Sequence, residues 1–414
     1  MSLTNNSILS LFKIEDPNIK VLDFSRTVVD GEIRNVIKAR LSYPVSRCPY
    51  CGFETVIKNG TRSTHVRLGE MRQERCEMEL WKQRYYCRTC ESTWGATTDL
   101  VEKNHTLSHQ LKHGVMGMGR EGMTATTIAK ICHCSASSVE RIIKDFVTPK
   151  RRMAVLPKHL CFDEFRSINH QMSFICCDAE NDHEIVAILP DRLTKNIIDY
   201  FLNRYSVTER QKVETVVVDL NAQYVSFIHQ LFSNAEIIID RFHIIQMAGR
   251  SLDNARIQLL KQFRNHHSRE YKILKSQWRL FHKAEDRLEG TKAVFLRGIN
   301  EYMTQENAVD LILRKHPKFA EVYSTYQKLH AALKKRDVEE LTSTISDYEN
   351  TKSAMDQTIH TLRRSAHFVA NSAKYDYSNG PLEGINRKIK NLKRSCCGFR
   401  NFENLLRRIE CIRY

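Results

Sequence analysis

Two aspartates occupy positions where short apolar runs predict β-strands. Asp163 lies inside HLCFDEFRS, and Asp219 ends VETVVVD, whose residues suit the central strand of a sheet covered by helices. Open α/β sheets place chemistry at the carboxyl ends of their strands. Two ionised carboxylates about 4 Å apart would repel by roughly 4 kcal/mol at an effective dielectric near 20, and a bound divalent cation would offset that cost. The pair therefore predicts a Mg²⁺ site for phosphodiester chemistry, with capping of a helix near Ala222 as the alternative for Asp219.

A third acid, Glu383, lies in YSNGPLEGINRKIKNLKRS, where Ser378 to Pro381 carry the start signals of a helix. Glu383 shares one helix face with three cations, Arg387, Lys390 and Arg394. This arrangement predicts a cationic face that contacts DNA phosphates while Glu383 reaches the metal ions. The alternative is a solvated basic helix with an incidental acid.

The elements that must position these acids follow from the patterns after residue 155. Three short β runs, a helix, the strand ending in Asp219, another helix and the strand AEIIIDRFH give the order β-β-β-α-β-α-β, that of an RNase H-like core. The first and fourth strands of such a core are neighbours, so Asp163 and Asp219 would meet. Residues 256–370 are rich in Leu, Lys, Glu, Gln and Arg and predict a long all-helical insertion. The core would therefore comprise residues 155–255 and the Glu-bearing helices of 371–414.

Two Cys-x-x-Cys pairs near the amino terminus have the spacing of a structural zinc site, in which four thiolates surround one ion. They are Cys48, Cys51, Cys87 and Cys90. The 35 residues between the pairs exceed the usual 15 to 20 or so, which predicts a zinc ribbon over about 45–95 with an elaborated hairpin, inside an N-terminal β region of residues 1–100. Two unrelated turns are the alternative, and His65 or Cys76 could substitute as ligands. The other paired cysteines, including Cys396 and Cys397, are predicted to be packing residues.

A helix-turn-helix is predicted within residues 101–150, in TATTIAKICHCSASSVERIIKDF. Ser135 can cap the second helix, which leaves Ser137, Ser138 and Arg141 available for a DNA major groove. His133 stands where many such turns carry glycine. A plain helical hairpin in a linker domain is the alternative.

Composition indicates a multidomain α+β/α/β protein that binds nucleic acid. A chain of 414 residues is long enough for about two to four domains. Lys and Arg outnumber Asp and Glu by 64 to 48, for a net charge of +16, which favours a polyanionic partner, although basic surfaces also occur without one. The sequence has neither a signal segment nor an apolar run near the roughly 18 residues of a membrane span. We therefore expect a cytoplasmic protein with no membrane partner.

Together these motifs resemble the DDE transposases of bacterial insertion sequences, and most closely the ISL3 family. The resemblance covers nearly the whole chain and is carried by CPYCG with YYCRTC, the helix-turn-helix, FDEF, VVVDLNAQY, IIIDRFH and SNGPLEGINRKIKNLKRSCCGFRNFENLLRRI. It implies an enzyme that binds the terminal inverted repeats of its element in double-stranded DNA, nicks the ends with water and joins the 3′ hydroxyls to target DNA.

The resemblance also implies roles for individual residues. Asp163, Asp219 and Glu383 would hold two Mg²⁺ ions, for which Mn²⁺ can substitute. Asp240 and His243, in DRFH, match the family pattern as accessory residues, with capping or packing as the alternative. Action on two DNA ends implies a homodimer or higher oligomer, located in the bacterial cytoplasm and at the nucleoid when bound.

The sequence is also compatible with two other functions. One is a zinc-dependent DNA-binding regulator derived from such an enzyme, in which the acids are relics. The other is a different RNase H-like nuclease, such as a junction resolvase, although a structure-selective nuclease has little need of sequence-reading modules. The presence of all three acids beside a basic helix favours the transposase.

Overall fold

The computed structural model describes residues 5–29, 31–71, 74–149, 153–220 and 222–413. The chain forms two compact units, one comprising Met1–Lys150 with Lys388–Tyr414 and the other comprising Arg151–Arg387. No helix within the described ranges combines the length and apolar character needed to cross a bilayer.

The first unit opens with a helix and a five-stranded sheet. Its elements are α1 (Asn5–Leu11), β1 (Ile19–Val29), β2 (Glu32–Leu41), β3 (Val56–Met71), β4 (Glu74–Cys87) and β5 (Thr93–Gly95). The strand order is β1-β2-β4-β3, with β5 also paired to β4. Strands β3 and β4 form the long antiparallel hairpin expected between the two cysteine pairs. Alternate residues of β4, such as Met78 and Leu80, are buried, so one face of the sheet packs on a core.

Three helices follow in the same unit: α2 (His109–Arg120), α3 (Ala125–Ile131) and α4 (Ala136–Phe146). The hydroxyl oxygen of Ser135 accepts a hydrogen bond of 3.1 Å from the backbone N–H of Ser138, which caps α4 as predicted. His133 takes φ +49° in the turn between α3 and α4, so the turn has the left-handed residue it requires without a glycine. The apolar faces of α3 and α4 meet through Ile128 and Val139.

The second unit contains a mixed five-stranded sheet covered by helices. Its first elements are β6 (His159–Arg166), β7 (Met172–Asp178), β8 (Ile185–Leu189), α5 (Thr194–Arg204), α6 (Val207–Arg210), β9 (Thr215–Val218), α7 (Ala222–Leu231) and β10 (Glu236–Ile239). The strand order is β10-β9-β6-β7-β8. Strands β10, β9 and β6 are parallel, whereas β7 is antiparallel to both β6 and β8. All four residues of β9 are buried, as a strand covered on both faces requires.

A helical segment follows the sheet. It contains α8 (Arg241–Gln262), α9 (Arg269–Ser276), α10 (Trp278–His282), β11 (Val294–Leu296), β12 (Glu301–Met303), α11 (Gln305–Lys315), α12 (Pro317–Lys335), α13 (Val338–Ser346), α14 (Ala354–Arg364) and α15 (Ala366–Lys374). The prediction that residues 256–370 are all helical was wrong in one respect, because β11 and β12 pair as a short hairpin. Gly298 and Asn300, at φ +92° and +63°, supply the left-handed residues of its turn.

The last two helices are α16 (Gly380–Ser395) and α17 (Phe402–Arg413). Helix α17 packs against α2 and α4, and Cys411 lies in the same core as Ile143. The guanidinium of Arg408 donates a hydrogen bond to the backbone oxygen of Met123. We assigned residues 371–414 to the catalytic core, but residues 388–414 belong to the helix-turn-helix unit. An amphipathic pattern predicts that a helix packs without specifying the surface that it covers.

Candidate active site

Strand register aligns three acids across the sheet of the second unit. Cys161 of β6 pairs with Val217 of β9, so Asp163 stands level with Asp219 two residues farther along. Ile239 of β10 pairs with Val218, so Asp240 stands level with Asp219 one residue farther along. Neighbouring strands lie about 4.8 Å apart. The sequence prediction that β6 and β9 are neighbours is therefore met, and a third acid flanks Asp219 on its other side.

Asp219 and Asp240 differ in their access to solvent. The Asp240 side chain is 2% exposed, and its Oδ1 accepts a hydrogen bond of 3.1 Å from the backbone N–H of Asn379. The Asp219 side chain is 30% exposed. Only Asp219 of these two could take a ligand from solvent without rearrangement of the core.

His243, in the first turn of α8, lies between these two acids. Its Nδ1 is 2.8 Å from Oδ1 of Asp219 and 3.3 Å from Oδ2 of Asp240. Hydrogen bonds to Asp219 first and to Asp240 second raise the pKa of His243 to about 10. The imidazole is therefore a cation at neutral pH and offsets part of the negative charge at the strand ends.

Asp163, in the middle of β6, is half-buried and accepts hydrogen bonds on both carboxylate oxygens. Its Oδ1 accepts a hydrogen bond of 2.7 Å from the backbone N–H of Glu164, and its Oδ2 accepts one of 2.8 Å from Nδ2 of Asn386. Burial raises the pKa of Asp163 to about 7, the Glu164 N–H opposes the rise, and the charge of Asp219 adds to it. The repulsion expected between the two aspartates is thus present.

Glu383 is exposed on α16, in the helix face that carries two asparagines. Asn379 stands four residues before it and Asn386 three residues after it, so the three side chains form one stripe. Asn379 Nδ2 donates to Oδ1 of Asp219 at 3.3 Å, while Asn386 Nδ2 donates to Asp163. Within the described ranges, the Glu383 carboxylate has no hydrogen-bond partner. The face that carries Glu383 is therefore directed at both aspartates.

The two asparagines were not anticipated from the sequence. Their spacing of four and three residues around Glu383 was the available signal, because such a stripe faces one surface.

The donor set at the strand ends fits a hard cation. Mg²⁺ prefers carboxylate and amide oxygens, and Asp163, Asp219 and Glu383 could hold it. The side-chain oxygens of Asn379 and Asn386 are buried and accept no hydrogen bond from the described residues. Among the described residues, the group at this edge whose ligand atoms lie within 4.8 Å of one another is Asp219, Asp240 and His243, and it does not include Asp163 or Glu383.

The four predicted zinc ligands converge in the first unit. The sulfur atoms of Cys48, Cys51, Cys87 and Cys90 lie within 4.8 Å of one another. The Cys48–Cys90 and Cys51–Cys87 sulfur pairs are each 3.6 Å apart, close to the roughly 3.8 Å that tetrahedral Zn–S bonds of about 2.3 Å require. The backbone N–H of Cys90 and the Thr55 hydroxyl lower the pKa of Cys87 to about 6. Against a backbone hydrogen bond from Phe53, burial and the three neighbouring thiols raise the pKa of Cys51 to about 12, so one proton is held among the four sulfurs until a cation displaces it. The cluster fits a structural zinc ion.

The alternative zinc ligands lie outside this cluster. Cys76 is buried in the core of the first sheet, and His65 is exposed on β3. Cys132, Cys176 and Cys177 are buried, but Cys397 is exposed, so its prediction as a packing residue was wrong.

The predicted DNA-contacting residues are accessible except for one. Ser137 and Arg141 are exposed on α4, whereas Ser138 is half-buried and its hydroxyl is 2.9 Å from that of Ser135. Along α16, three cations continue the face of Glu383 and are all exposed: Arg387, Lys390 and Arg394.

Comparison with known proteins agrees with these features. A family model described as a transposase, of the DDE type and the ISL3 family, matches residues 160–409. A second, described as the zinc-finger of the transposases of IS204, IS1001, IS1096 and IS1165, matches residues 44–90. A curated protein from Lactococcus lactis subsp. lactis, named ATP-dependent protease, is 32% identical over 108 residues, which are 26% of this chain and 35% of that protein. The chain thus spans about a third of that relative. Because the transposase match covers more than half of the sequence, the chain belongs to the ISL3 family of DDE transposases.

Proposed function

We propose that this transposase binds the terminal inverted repeats of its element, hydrolyses the phosphodiesters at the element ends and transfers the 3′ hydroxyl ends to target DNA. The observation that carries the proposal is the level alignment of Asp163 and Asp219 on adjacent parallel strands. The stripe that carries Glu383 supports it, because its asparagines are bonded to both aspartates. Two carboxylates and the helix that carries the third are thereby linked by hydrogen bonds.

Asp163, Asp219 and Glu383 are the catalytic acids and Mg²⁺ ligands in this proposal. When bound, two Mg²⁺ ions, or Mn²⁺ in their place, activate the attacking oxygen and stabilise the leaving oxygen. The access of Asp219 to solvent suits a metal ligand better than the burial of Asp240 does. Asp240 and His243 orient Asp219 and balance its charge.

The fold proposed for the catalytic unit is an RNase H-like core. Its support is the strand order β8-β7-β6-β9-β10, in which the first and fourth strands of the unit are central neighbours. The insertion between the last strand and the Glu383 helix is residues 256–370, which run from the second half of α8 into α15.

DNA recognition is assigned to the first unit and to the basic face of α16. A zinc ion held by the four clustered cysteines would fix the ribbon. Ser137 and Arg141 would read base edges, with Ser138 beside them, and the cations that follow Glu383 would contact phosphates. The enzyme would act in the cytoplasm as a homodimer or higher oligomer, since it must engage two DNA ends.

A zinc-dependent DNA-binding regulator is the second candidate. The exposed carboxylate of Glu383 and the accessible Asp219 favour the enzyme, because a regulator has no use for such a site. ATP-dependent proteolysis is not proposed, since the sequence contains no G-x-x-x-x-G-K-[ST] phosphate-binding loop.

The test is cleavage of labelled DNA that carries the element's own ends, with Mg²⁺ and purified protein. Asp163→Asn and Glu383→Gln should each lower the cleavage rate by at least about a hundredfold and leave end binding in gel-shift assays unchanged. Asp182→Asn and Glu403→Gln, at exposed acids elsewhere, should retain the cleavage rate. Cleavage by both catalytic-site variants at the unaltered rate would reject the proposed site.

A further inference from the structure

Two asparagines flank Glu383, and each is bonded to a different aspartate. Asn379 is 1% exposed, and its Nδ2 donates both to Oδ1 of Asp219 and to the backbone oxygen of Phe162, at 3.3 and 3.1 Å. Its backbone N–H donates to Asp240 at 3.1 Å. One residue thus joins the middle of β6 to the carboxyl ends of β9 and β10.

Asn386 contacts the site through a single hydrogen bond. Its Nδ2 donates to Oδ2 of Asp163 at 2.8 Å. Its own Oδ1 is buried and accepts no hydrogen bond in the described part of the chain. A buried amide oxygen without a partner is unfavourable, so Asn386 is not explained as a residue that stabilises α16. Its orientation is set by Asp163.

The same reasoning applies to Asn379. Its backbone oxygen accepts the Glu383 N–H at 3.0 Å, which is the ordinary role of a residue at the start of a helix. A helix start does not require the side chain to reach two other strands, and its Oδ1 is buried without a partner among the described residues. The side-chain contacts serve the acids rather than the helix.

We propose that Asn379 and Asn386 are positioning residues of the metal site, which hold Asp219 and Asp163 in fixed orientations and tie both to the helix of Glu383. The inference rests on the proposed function, because it concerns the same three acids. Groups that hydrogen-bond to metal-binding carboxylates orient them and strengthen ion binding. The helix of Glu383 therefore contributes to the site through three residues rather than one.

The experiment measures Mn²⁺ binding to the purified full-length protein without DNA, by electron paramagnetic resonance. Asn386→Ala and Asn386→Leu should weaken Mn²⁺ binding by roughly 10-fold to 100-fold. Asn386→Leu keeps the branched shape and the number of heavy atoms of the side chain and leaves no cavity, so it controls for the packing defect of Asn386→Ala. Asn391→Ala is the matched control, because Asn391 is exposed on the same helix. Its Mn²⁺ affinity should equal that of the unaltered protein.

A second measurement separates positioning from a loss of structure. In the cleavage assay, Asn386→Leu should raise the Mg²⁺ concentration for half-maximal rate by roughly tenfold while saturating Mg²⁺ restores most of the rate. Mn²⁺ affinity within twofold of the unaltered protein for both Asn386 variants would overturn the inference.

The inference and the proposed function fail in different ways. If Asp163→Asn abolishes Mn²⁺ binding and cleavage while the Asn386 variants bind Mn²⁺ normally, the function stands and the asparagine assignment falls. If Asp163→Asn binds Mn²⁺ and cleaves DNA as the unaltered protein does, the acid site is wrong and both fall.

Discussion

Nδ1 of His243 lies 2.8 Å from Oδ1 of Asp219 and serves as an internal cation for the acid site. The contact explains how two level aspartates, Asp219 and Asp240, coexist beside a half-buried Asp163. The same contact leads to a prediction about the free energy of unfolding that can be checked without DNA.

His243→Ala should lower the stability of the metal-free protein at pH 6 to 7 by about 1–2 kcal/mol, or roughly 2–8 °C in melting temperature. The pKa of His243 is raised to about 10 in the folded protein. The stabilisation is therefore complete below the ordinary histidine pKa of about 6.5 and is lost as the pH rises through about 10. Melting curves in EDTA at several pH values measure this.

The control for that comparison is His267→Ala, at an exposed histidine in the loop before α9. Its melting temperature should match that of the unaltered protein at every pH. If His243→Ala has the same effect at pH 10.5 as at pH 6, the ion pair is not the cause.

Cys48→Ser should reduce bound zinc from about one ion per chain to a small fraction of that value, because a ribbon site needs all four thiolates. End binding should weaken as the ribbon loses its structure. Cys397→Ser changes an exposed thiol outside the cluster and should retain both zinc and binding. Elemental analysis and fluorescence anisotropy are the measurements, and full zinc content in Cys48→Ser would contradict the assignment.

Arg141→Ala should weaken binding to the element ends by roughly 5-fold to 100-fold, or about 1–3 kcal/mol, with little change for unrelated DNA. Lys130→Ala removes the same charge from the end of α3 and serves as the matched variant. It should weaken binding to both DNAs equally, as a phosphate contact does. Anisotropy at one fixed salt concentration compares them, and equal losses for the two variants on both DNAs would argue against base reading by Arg141.

Gly119→Ala tests the packing of α17 on α2. A Cβ atom at Gly119 would lie 3.1 Å from Sγ of Cys411 and 3.3 Å from Nη1 of Arg408, whereas one at Gly117 meets nothing within 4 Å. Gly117→Ala should therefore stabilise the protein by about 0.5–1 kcal/mol through helix propensity. Gly119→Ala should give no stabilisation or should destabilise the protein. The Arg408 guanidinium that the new Cβ would meet is kept in place by its hydrogen bond to the backbone oxygen of Met123. Equal stabilisation in thermal melts would show that α17 does not pack there.

The strand order, and the alignment of Asp163 with Asp219 on adjacent strands, could be predicted from the sequence. Short apolar runs indicate strands that are buried on both faces. The difference in solvent access between Asp219 and Asp240 could not be predicted from the sequence. Both follow apolar strands in the sequence, but α8 begins directly after Asp240, so His243 and the N–H of Asn379 enclose its carboxylate. Access to solvent depends on those tertiary contacts.

The asparagines were missed for a related reason. In a sequence, Asn379 is an ordinary helix-start residue and Asn386 is one polar residue within a basic helix. Their hydrogen bonds arise from the packing of the start of α16 against the middle of β6 and the end of β9 in the second unit. The surface against which α17 packs could not be predicted either, because an apolar stripe on a helix does not specify which groove it covers.

The late position of α17 in the sequence determines when the first unit can complete its folding. Phe402, its first residue, is translated about 250 residues after α4 ends at Phe146, a delay of roughly 13 to 50 seconds at ordinary elongation rates. Until then the nascent helix-turn-helix lacks the partner that covers Ile143 and fills the space beside Gly119. When α17 is synthesised, all five strands of the β6–β10 sheet are already present in the chain, whereas the core formed by α2, α3 and α4 still lacks one of its helices.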